Sequence, residues 1–506
     1  MLRSLTKSIR LKADPLVADH QIKREIMYNA ILSGILLALS YPIFNLELFA
    51  YVAFVPLFFA IKNVTLKKAF FLSYICGVVF FAITIYWLIH VTLVGLILLI
   101  LYLALYFGFL GLFFNFLSIN YKLSTINLLL IPAIWVFLEY LRSHLLTGFP
   151  WALLGYSQYL NLPLIQIADI TGVWGVSFLV MMVNVAIWKS MLKVKGLRFK
   201  VKNFFDFSVL FTIACLITTL GYGYYKLRTT HDAQRTTLKI SIIQGSVPQS
   251  EKWDERFREE ILARYEALTK KAAKEKPDLI IWPETAVPGI VDEEPQLLGW
   301  VLRLAKEVKA PMLVGAVTVQ GANYYNSAIL ISREGKIIAQ YDKLHLVPFG
   351  EYVPLEKYFP FLRNLISVPI GDFTPGKEYT VFKAEGLEEF SALICFEDII
   401  PVLSRRFMKK GAKFLVNITN DAWFMKTSAP YQHAQASVFR AIENRVPVVR
   451  AANTGLSCFI DSNGHIYDKV SHGKKDIFVI GYKTSEVVAK IDSRDSFQGG
   501  RRKLSP

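Results

Sequence analysis

Three residues of this chain carry the groups that nucleophilic catalysis needs, and each lies at or between predicted strand ends. Cys395 follows the apolar run 390–394, and Glu284 follows the run 279–283. Lys343 lies between them in an irregular stretch. A cysteine is intrinsically nucleophilic, and a neighbouring ammonium group lowers the pKa of its thiol. A carboxylate could take the thiol proton, and a lysine could stabilise the oxyanion of a tetrahedral intermediate.

Each of these residues also has a purely structural interpretation when it is taken alone. Free cysteines are usually buried, so position alone favours Cys395 as a core residue. Glu284 could cap an element or lie at the surface, and Lys343 could be a solvated loop lysine. Glu351 could orient Lys343, act as a second carboxylate or be an exposed charge in a Gly/Pro turn. The residue types alone therefore do not show that the side chains meet.

The cysteine and histidine content argues against a metal site. The chain has 4 cysteines and 8 histidines, with no CxxC motif and no Cys/His cluster of zinc-ligand spacing. Cys76 and Cys215 lie inside apolar segments, and Cys458 lies on a predicted strand. His345 and His433 are more simply hydrogen-bonded structural residues than bases. We expect no metal and no cofactor.

The second half of the chain, residues 227–492, has the pattern of a layered α/β domain. Short apolar or alternating runs, bounded by Pro, Gly and Asn, predict strands. Longer runs with apolar residues three and four apart predict helices. Strands that alternate with helices indicate an α/β sandwich. The predicted strands are 238–244, 279–282, 311–318, 326–332, 391–394, 414–418, 446–451 and 456–461, and the predicted helices are 255–273, 401–410 and 431–444.

The first half, residues 26–226, has the composition of a membrane domain. The whole chain is 53% hydrophobic and has a mean hydropathy of +0.37, which is too apolar for an ordinary soluble protein. Most of the apolar runs approach the ~20 residues that cross hydrocarbon. Tyr41-Pro42 interrupts the first run and the second is short, so one of them could belong to a re-entrant pair. The predicted spans are 26–44, 46–61, 69–90, 93–117, 124–142, 173–190 and 207–225.

Basic residues predict an orientation and account for the net charge of +17. They concentrate in the tail 1–25 and in the loops 62–68 and 189–202, which the positive-inside rule places in the cytoplasm. After seven crossings, residues 227–492 would lie on the outer face of a bacterial inner membrane, as would the polar tail 493–506. This distribution argues against a nucleic-acid partner. The tail lacks an A-x-A site, so we expect no removable signal peptide.

Several strings give the chain a resemblance to a known family. They are TGFPWALLGYSQ at 147–158, QGSVPQSEKW at 244–253, IWPE at 281–284, VPFGEYVP at 347–354 and NDAWF at 420–424. With the chain order Glu, Lys, Cys at separations of 59 and 52 residues, they resemble the nitrilase superfamily. The membrane half narrows the resemblance to its membrane-embedded branch, the bacterial apolipoprotein N-acyltransferases.

The resemblance implies a polytopic α-helical membrane domain joined to an α-β-β-α sandwich. It implies that Cys395 attacks the sn-1 ester of a phospholipid, typically phosphatidylethanolamine, and forms a thioester. The α-amine of a diacylglyceryl-cysteine on an apolipoprotein would then take the acyl chain. By the family pattern Glu284 is the base, Lys343 stabilises the oxyanion and Glu351 is a supporting carboxylate.

The resemblance also implies roles for residues around these three. Trp253 and Glu397 match family positions that help substrate binding or loop gating, and Phe396 and Trp423 belong to the same substrate-binding set. We expect the 149–151 segment to line the lipid entrance, with an interfacial aromatic anchor as the alternative. The two aromatic residues of that segment are Phe149 and Trp151.

Three departures from the family pattern accompany the resemblance. Phe396 stands where the family usually has tyrosine, Met425 stands where glycine is common, and the last residues show no apolar run where relatives usually have a final span.

Two other functions stay open. One is a membrane-tethered amidase or nitrilase with water as acceptor, against which the seven spans argue. The other is a catalytically silent protein that recruits partners, against which the intact Glu284, Lys343 and Cys395 argue.

Overall fold

A computed structural model of the protein describes residues 15–120, 127–196, 207–229, 235–353, 356, 358, 363 and 372–490. This part of the chain consists of a helical half followed by an α/β half. The predicted polar tail 493–506, residues 1–14 of the predicted basic tail and the loop segment 197–206 lie outside the described residues.

The helical half contains long apolar helices, and each of the seven predicted spans overlaps one described α-helix. Among the residues that the structure describes, four helices are long and apolar enough to cross a membrane: Leu66–Thr84, Leu93–Ser118, Ala168–Leu192 and Phe207–Thr229. The helix bounds are α1 Pro15–Leu39, α2 Val55–Ile61, α3 Leu66–Thr84, α4 Leu93–Asn120, α5 Asn127–Arg142, α6 Leu162–Ile165, α7 Ala168–Gly196 and α8 Phe207–Thr229.

The predicted second span, 46–61, is not one continuous helix. It consists of a 3-10 turn, Glu47–Tyr51, and the seven-residue α2. At 1.5 Å per residue α2 is about 10 Å long, a third of the hydrocarbon thickness. The segment therefore has the short, broken form expected of a re-entrant element. The count of seven crossings stays a prediction.

The α/β half is an α-β-β-α sandwich, as the resemblance implies. One sheet has the strand order β11-β1-β2-β3-β4-β5 and the other has β10-β9-β8-β7-β6. The bounds are β1 Arg235–Gln244, α9 Glu255–Ala273, β2 Leu279–Ile281, α10 Pro295–Val308, β3 Met312–Gln320, β4 Asn323–Ile331, β5 Ile337–Asp342, β6 Phe390–Ile394, α11 Pro401–Lys409, β7 Phe414–Thr419, α12 Ala429–Asn444, β8 Val448–Ala452, β9 Cys458–Ile460, β10 Ile466–Tyr467 and β11 Gly481–Lys490.

Parallel strands at the centre of each sheet position the functional residues. In one sheet β1, β2 and β3 run parallel, and in the other β6, β7 and β8 run parallel. The strands β2, β6, β7 and β8 are buried along their whole length, which explains why they are mostly apolar. The polar side chains that they do contain, Ser391, Asn417, Thr419 and Arg450, are also buried. Helices α9 and α10 pack against the six-stranded sheet in a separate apolar cluster. Loops at the carboxyl ends of these parallel strands are where ligands bind in such folds.

Candidate active site

The predicted nucleophile stands at a sharp turn at the carboxyl end of β6. Cys395 begins a 3-10 helix, Cys395–Ile399, and its φ of +53° lies in the left-handed region. Non-glycine residues rarely adopt this conformation, and strain of this kind is concentrated at functional sites. The side chain is half-buried and packs against the apolar core, and the role of Cys395 as a nucleophile stays a prediction.

Lys343 lies between two carboxylates in the described structure. Its Nζ is 2.9 Å from Oε2 of Glu351 and 3.5 Å from Oε1 of Glu284. Asn326 bridges the same carboxylates, since its Nδ2 donates to Glu284 Oε1 at 2.7 Å and to Glu351 Oε1 at 2.8 Å. Lys343 is 1% exposed, Glu284 is 5% exposed and Glu351 is 9% exposed. Their interpretation as solvated surface charges is therefore wrong.

The charge states of this cluster follow from burial and from neighbouring charges. Burial lowers the pKa of Lys343, but Glu351 and then Glu284 outweigh it, so the pKa rises above its ordinary value. Burial raises the pKa of the Cys395 thiol well above its ordinary value, Glu284 adds to the rise and Lys343 opposes it. The expectation that a lysine would leave this thiol with a lowered pKa is wrong, because desolvation dominates. A raised pKa favours the thiol form of Cys395, so a nucleophilic role would need a base to take its proton.

Two further groups hold Glu284 in place. The backbone N–H of Asn420 donates to Glu284 Oε2 at 2.8 Å. Lys252, which is 4% exposed, donates from Nζ to the Glu284 carbonyl oxygen at 3.0 Å. Burial lowers the pKa of Lys252 to about 8, against the opposing effects of Glu284 and Cys395. With its side chain fixed at both oxygens, Glu284 has the rigid orientation that proton transfer needs.

Glu397 connects the nucleophile turn to the lysine loop and is fully buried. Its Oε2 accepts from the Ile394 N–H at 2.7 Å, and its Oε1 accepts from the Leu344 and His345 N–H groups at 2.7 and 3.0 Å. Burial raises the pKa of Glu397 to about 7, against the lowering effect of these hydrogen bonds. The side chain therefore orders the two loops, and its part in substrate binding or loop gating stays a prediction.

Aromatic side chains extend from the helical half to the nucleophile turn. The Phe149 ring is 6.2 Å from Trp151 and 6.5 Å from Phe396, and Phe396 stacks on His345 at 6.0 Å. Trp151 is 4% exposed, and its ring centroid is 4.9 Å from that of Trp87. A buried Trp151 does not fit the alternative of an interfacial anchor. The position of Phe149 and Trp151 as an entrance lining stays a prediction.

The two remaining predicted substrate residues lie beside groups that contact Glu284. Trp253 is 48% exposed and follows Lys252 just before α9. Trp423 is half-buried in a 3-10 turn, Asp421–Phe424, three residues after Asn420. Their role in binding substrate stays a prediction.

The sequence did not reveal every member of the cluster. Asn326 lies inside β4 and no local pattern marks it, whereas Lys252 and Asn420 lie in the strings at 244–253 and 420–424. Among the described residues, no group of three or more His, Cys, Asp or Glu side chains could hold a metal ion.

Comparisons with known proteins cover both halves of the chain. Residues 33–186 match the apolipoprotein N-acyltransferase N-terminal domain family, and residues 239–489 match the carbon-nitrogen hydrolase family. An apolipoprotein N-acyltransferase from Geobacter metallireducens is 43% identical over 462 residues, which are 88% of this chain and 87% of the relative. An apolipoprotein N-acyltransferase from Chlorobaculum tepidum is 31% identical over 507 residues, which are 94% of this chain and 93% of the relative. A crystal structure of a carbon-nitrogen hydrolase from Helicobacter pylori aligns with a TM-score of 0.40 and 15% identity over 53% of this chain and 94% of that chain.

Proposed function

The chain belongs to the apolipoprotein N-acyltransferase family, and we propose that it uses a Cys395 thioester to carry the transferred acyl chain. It is a membrane-embedded acyltransferase of lipoprotein maturation. The proposed donor is a phospholipid, with phosphatidylethanolamine as the headgroup class, and the proposed acceptor is the N-terminal amine of a diacylglyceryl-cysteine. The single observation that carries this proposal is the Lys343 ammonium held 2.9 Å from Glu351 and 3.5 Å from Glu284.

The first step makes the thioester. Glu284 takes the proton of the Cys395 thiol as sulfur attacks the sn-1 carbonyl carbon of the phospholipid. The carbonyl oxygen becomes an oxyanion, which Lys343 stabilises with a hydrogen bond and its charge. The C–O bond to glycerol then breaks, and Glu284 returns the proton to the leaving oxygen, so lysophospholipid departs.

The second step transfers the acyl chain. The neutral α-amine of the acceptor attacks the thioester carbon, and Glu284 takes a proton from the nitrogen. The C–S bond breaks, the thiolate recovers the proton and an amide remains on the lipoprotein. A thioester suits this exchange because it can form from an ester and still acylate an amine. Water is not a reactant in either step.

The helical half explains why such chemistry would need a membrane protein. A soluble enzyme would have to lift acyl chains out of hydrocarbon at ~0.8 kcal/mol per CH₂. A sandwich joined to apolar helices works at the bilayer surface and avoids most of this cost. We propose that residues 227–492 lie on the periplasmic face of the inner membrane, with residues 26–226 in the bilayer.

A two-stage experiment tests the proposal. The purified protein is incubated in detergent micelles with phosphatidylethanolamine, and the mass of the peptide that contains Cys395 is measured; a diacylated lipopeptide is then added. We expect an acyl adduct that moves to the lipopeptide amine. Cys395→Ala should abolish both stages, and Glu284→Gln should slow adduct formation by ~10²-fold or more. The matched control is Cys458→Ala, since Cys458 is fully buried on β9.

Other outcomes of this experiment would favour other functions. Turnover of simple amides without lipid would favour a hydrolase. An absent adduct, together with full function of Cys395→Ser in cells, would favour a protein without catalysis. Normal acylation by Cys395→Ala would overturn the assignment of the nucleophile.

A further inference from the structure

His433, on α12, contacts the backbone of the nucleophile itself. Its Nε2 is 3.2 Å from the Cys395 carbonyl oxygen in hydrogen-bonding geometry, and its Nδ1 is 2.9 Å from Oδ1 of Asp421. The side chain is 1% exposed. Asn417 on β7 donates to the same carbonyl oxygen from Nδ2 at 3.2 Å. Two elements of the sandwich therefore hold one oxygen atom of Cys395.

The partners of His433 select its charge state. Both ring nitrogens face oxygen atoms that can only accept: a backbone carbonyl and the ionised carboxylate of Asp421. Each nitrogen must then carry a hydrogen, and the ring is an imidazolium. Asp398 adds a second negative charge, with Oδ1 2.9 Å from Nε2. This arrangement supplies a charged donor to the Cys395 carbonyl, and charged donors make the stronger hydrogen bonds.

Arg450 completes a buried network of two cations and two carboxylates. Its guanidinium is 2.9 Å from Asp398 and 3.3 Å from Asp421. Burial lowers the pKa of His433, but Asp398 and Asp421 outweigh burial and the opposing charge of Arg450, and the pKa rises to about 9. Burial raises the pKa of both aspartates, but His433 and Arg450 bring them below their ordinary values. The network is fully ionised at neutral pH.

The held carbonyl determines where the next N–H points. The C=O and N–H groups of a trans peptide point in opposite directions. With the Cys395 carbonyl oxygen fixed toward His433 and Asn417, the N–H of Phe396 lies in the same plane and points in the opposite direction, away from these two side chains. The φ of +53° at Cys395 is a conformation that persists only where the surroundings enforce it.

We propose that His433, as an imidazolium, is a positioning residue that fixes the Cys395–Phe396 peptide plane and aims the Phe396 N–H at the oxyanion. The inference rests on the proposed thioester chemistry and deepens it. His433 touches neither substrate nor the sulfur in this role. Its positive charge also polarises the peptide group that it binds, which makes the Phe396 N–H a stronger donor. A donor that is misaimed stabilises the oxyanion less, so the rate of attack falls.

Single-turnover kinetics of two variants test the proposal. Full-length His433→Gln and His433→Leu are incubated in micelles with phosphatidylethanolamine, and thioester formation on Cys395 is followed by mass spectrometry. Glutamine keeps one hydrogen-bond donor but loses the charge, so we expect the rate of thioester formation to fall roughly 10-fold. Leucine loses both the donor and the charge, so we expect the same rate to fall roughly 100-fold. The half-saturating phospholipid concentration should stay within about twofold, because transition-state stabilisation alone changes.

A matched control separates positioning from general destabilisation. Gln435→Leu removes a buried hydrogen bond from the same helix, since Gln435 donates to the Tyr156 carbonyl at 3.2 Å, but it leaves Cys395 untouched. We expect a near-normal rate for this control. Unfolding temperatures of all variants are measured in the same micelles. An equal rate loss in Gln435→Leu, or a normal rate in folded His433→Leu, would overturn the proposal.

The pH dependence reports on the charge itself. The charged groups that face His433 are Asp398 and Asp421, with Arg450 behind them. The wild-type rate should fall as pH rises through about 9, since the imidazolium is lost there. Asp421→Asn should move this fall to lower pH, and His433→Gln should lack it. A fall that is identical in all three proteins would overturn the role of the charge.

The two proposals fail in different ways. If the wild-type protein forms no adduct on Cys395, the proposed thioester function fails. If the wild type forms the adduct and the His433 variants form it equally fast, the positioning role alone fails.

Discussion

At the scale of residues, the central feature is a lysine that is shared by two carboxylates with unequal roles. Glu351 approaches Lys343 more closely than Glu284 does, at 2.9 Å against 3.5 Å. Glu351 also accepts from the Val347 N–H at 2.7 Å, which fixes it in its own loop. We infer that Glu351 compensates the lysine charge, so that Glu284 stays free to exchange protons with sulfur and substrate.

This division of roles predicts the behaviour of Glu351→Gln. The amide cannot compensate the ammonium, so Lys343 should move toward Glu284 and weaken it as a base. Loss of one charged hydrogen bond corresponds to about 1.5–3 kcal/mol, which is roughly 10–100-fold in the rate of thioester formation. The measurement is the single-turnover rate by mass spectrometry.

Glu356→Gln is the matched control for that prediction. Glu356 lies in the same part of the chain and pairs with Arg363 at 2.7 Å, away from Lys343. It should react at a near-normal rate. An equal fall in the rate of thioester formation in Glu351→Gln and Glu356→Gln would contradict the role of Glu351.

At the scale of elements, the turn after β7 carries a strained residue. Met425 has φ +53° and ψ −163°, a region that is essentially restricted to glycine. It is also the position where the sequence departs from the glycine of the family pattern. The strain is located next to the turn Asp421–Phe424, which presents Trp423 and packs Phe424 against Trp87 at 4.5 Å.

Met425→Gly should stabilise the protein. Relief of the backbone strain should raise the free energy of unfolding by about 1–3 kcal/mol. The greater conformational freedom of glycine in the unfolded chain should lower it by about 0.4–1 kcal/mol. We expect a net gain of about 1 kcal/mol, measured as a higher denaturation midpoint in micelles. Lys426→Gly, at the adjacent exposed position without positive φ, should be destabilising. A loss of stability in Met425→Gly would contradict the strain.

Helix α12 is the element that joins the two halves near the site. Gln432 accepts from the indole N–H groups of Trp87 and Trp151 at 3.0 and 2.8 Å, and its Nε2 donates to the Thr84 carbonyl at 3.0 Å. The adjacent residue is His433, whose ring lies 5.4 Å from that of Trp151. Consecutive residues of one helix therefore bind the helical half and the nucleophile turn.

Gln432→Leu should weaken this junction. The substitution leaves two buried indole N–H groups without an acceptor, and each should lower the free energy of unfolding by about 1–3 kcal/mol. The unfolding temperature should fall further than in Gln435→Leu, which loses a single hydrogen bond to Tyr156. Thermal unfolding followed by tryptophan fluorescence checks this expectation. Equal shifts in the two variants would show that the indoles find other acceptors.

Much of the sandwich was predictable, because its central strands are short, mostly apolar runs with clear ends. The helix predicted at 255–273 has the observed bounds of α9. Helix α10 was not predicted, although Leu297, Val301 and Leu304 recur at helical spacing on its buried face. The ten-residue β11 was missed because its alternation is weak and its pairing with β1 is set by a partner far away in the chain.

The site was predictable where chemistry marks a residue type and not where folding alone brings a residue in. Glu, Lys and Cys at strand ends can be recognised as reactive groups. Asn326 is an amide inside a strand, and its contact with Glu284 spans 42 residues. The charge on His433 depends on Asp398 and Asp421, which only the tertiary fold brings to the two ring nitrogens.

At the scale of the whole molecule, the two halves are joined by polar contacts as well as by aromatic packing. Arg445, at the end of α12, donates to Asp169 Oδ2 of α7 from two nitrogens at 3.0 and 2.8 Å. Glu443 accepts from the Val173 N–H at 3.0 Å. These contacts tie the sandwich to a helix that is apolar enough to cross a membrane. The reacting groups therefore have a fixed position relative to the helical half.

The proposed orientation can be tested by labelling single introduced cysteines in a background in which the four native cysteines, Cys76, Cys215, Cys395 and Cys458, are replaced by serine. Lys274→Cys, at an exposed position of the sandwich, should react with a membrane-impermeant maleimide in intact spheroplasts. Lys67→Cys, at an exposed position in the first turn of α3 on the side that is predicted to be cytoplasmic, should react only after permeabilisation. The basis is the concentration of lysine and arginine in the predicted inner loops. The reverse labelling pattern would contradict a periplasmic site.

The most direct test of the whole account is a chase of the isolated acyl-enzyme. Protein acylated by phosphatidylethanolamine is freed of lipid and mixed with a diacylated lipopeptide, and both the adduct on Cys395 and the N-acylated product are followed by mass spectrometry. The account predicts that the adduct disappears and the product appears with the same rate constant, with no phospholipid present. An adduct that persists, or a product that forms only when phospholipid is added back, would contradict a covalent carrier at Cys395.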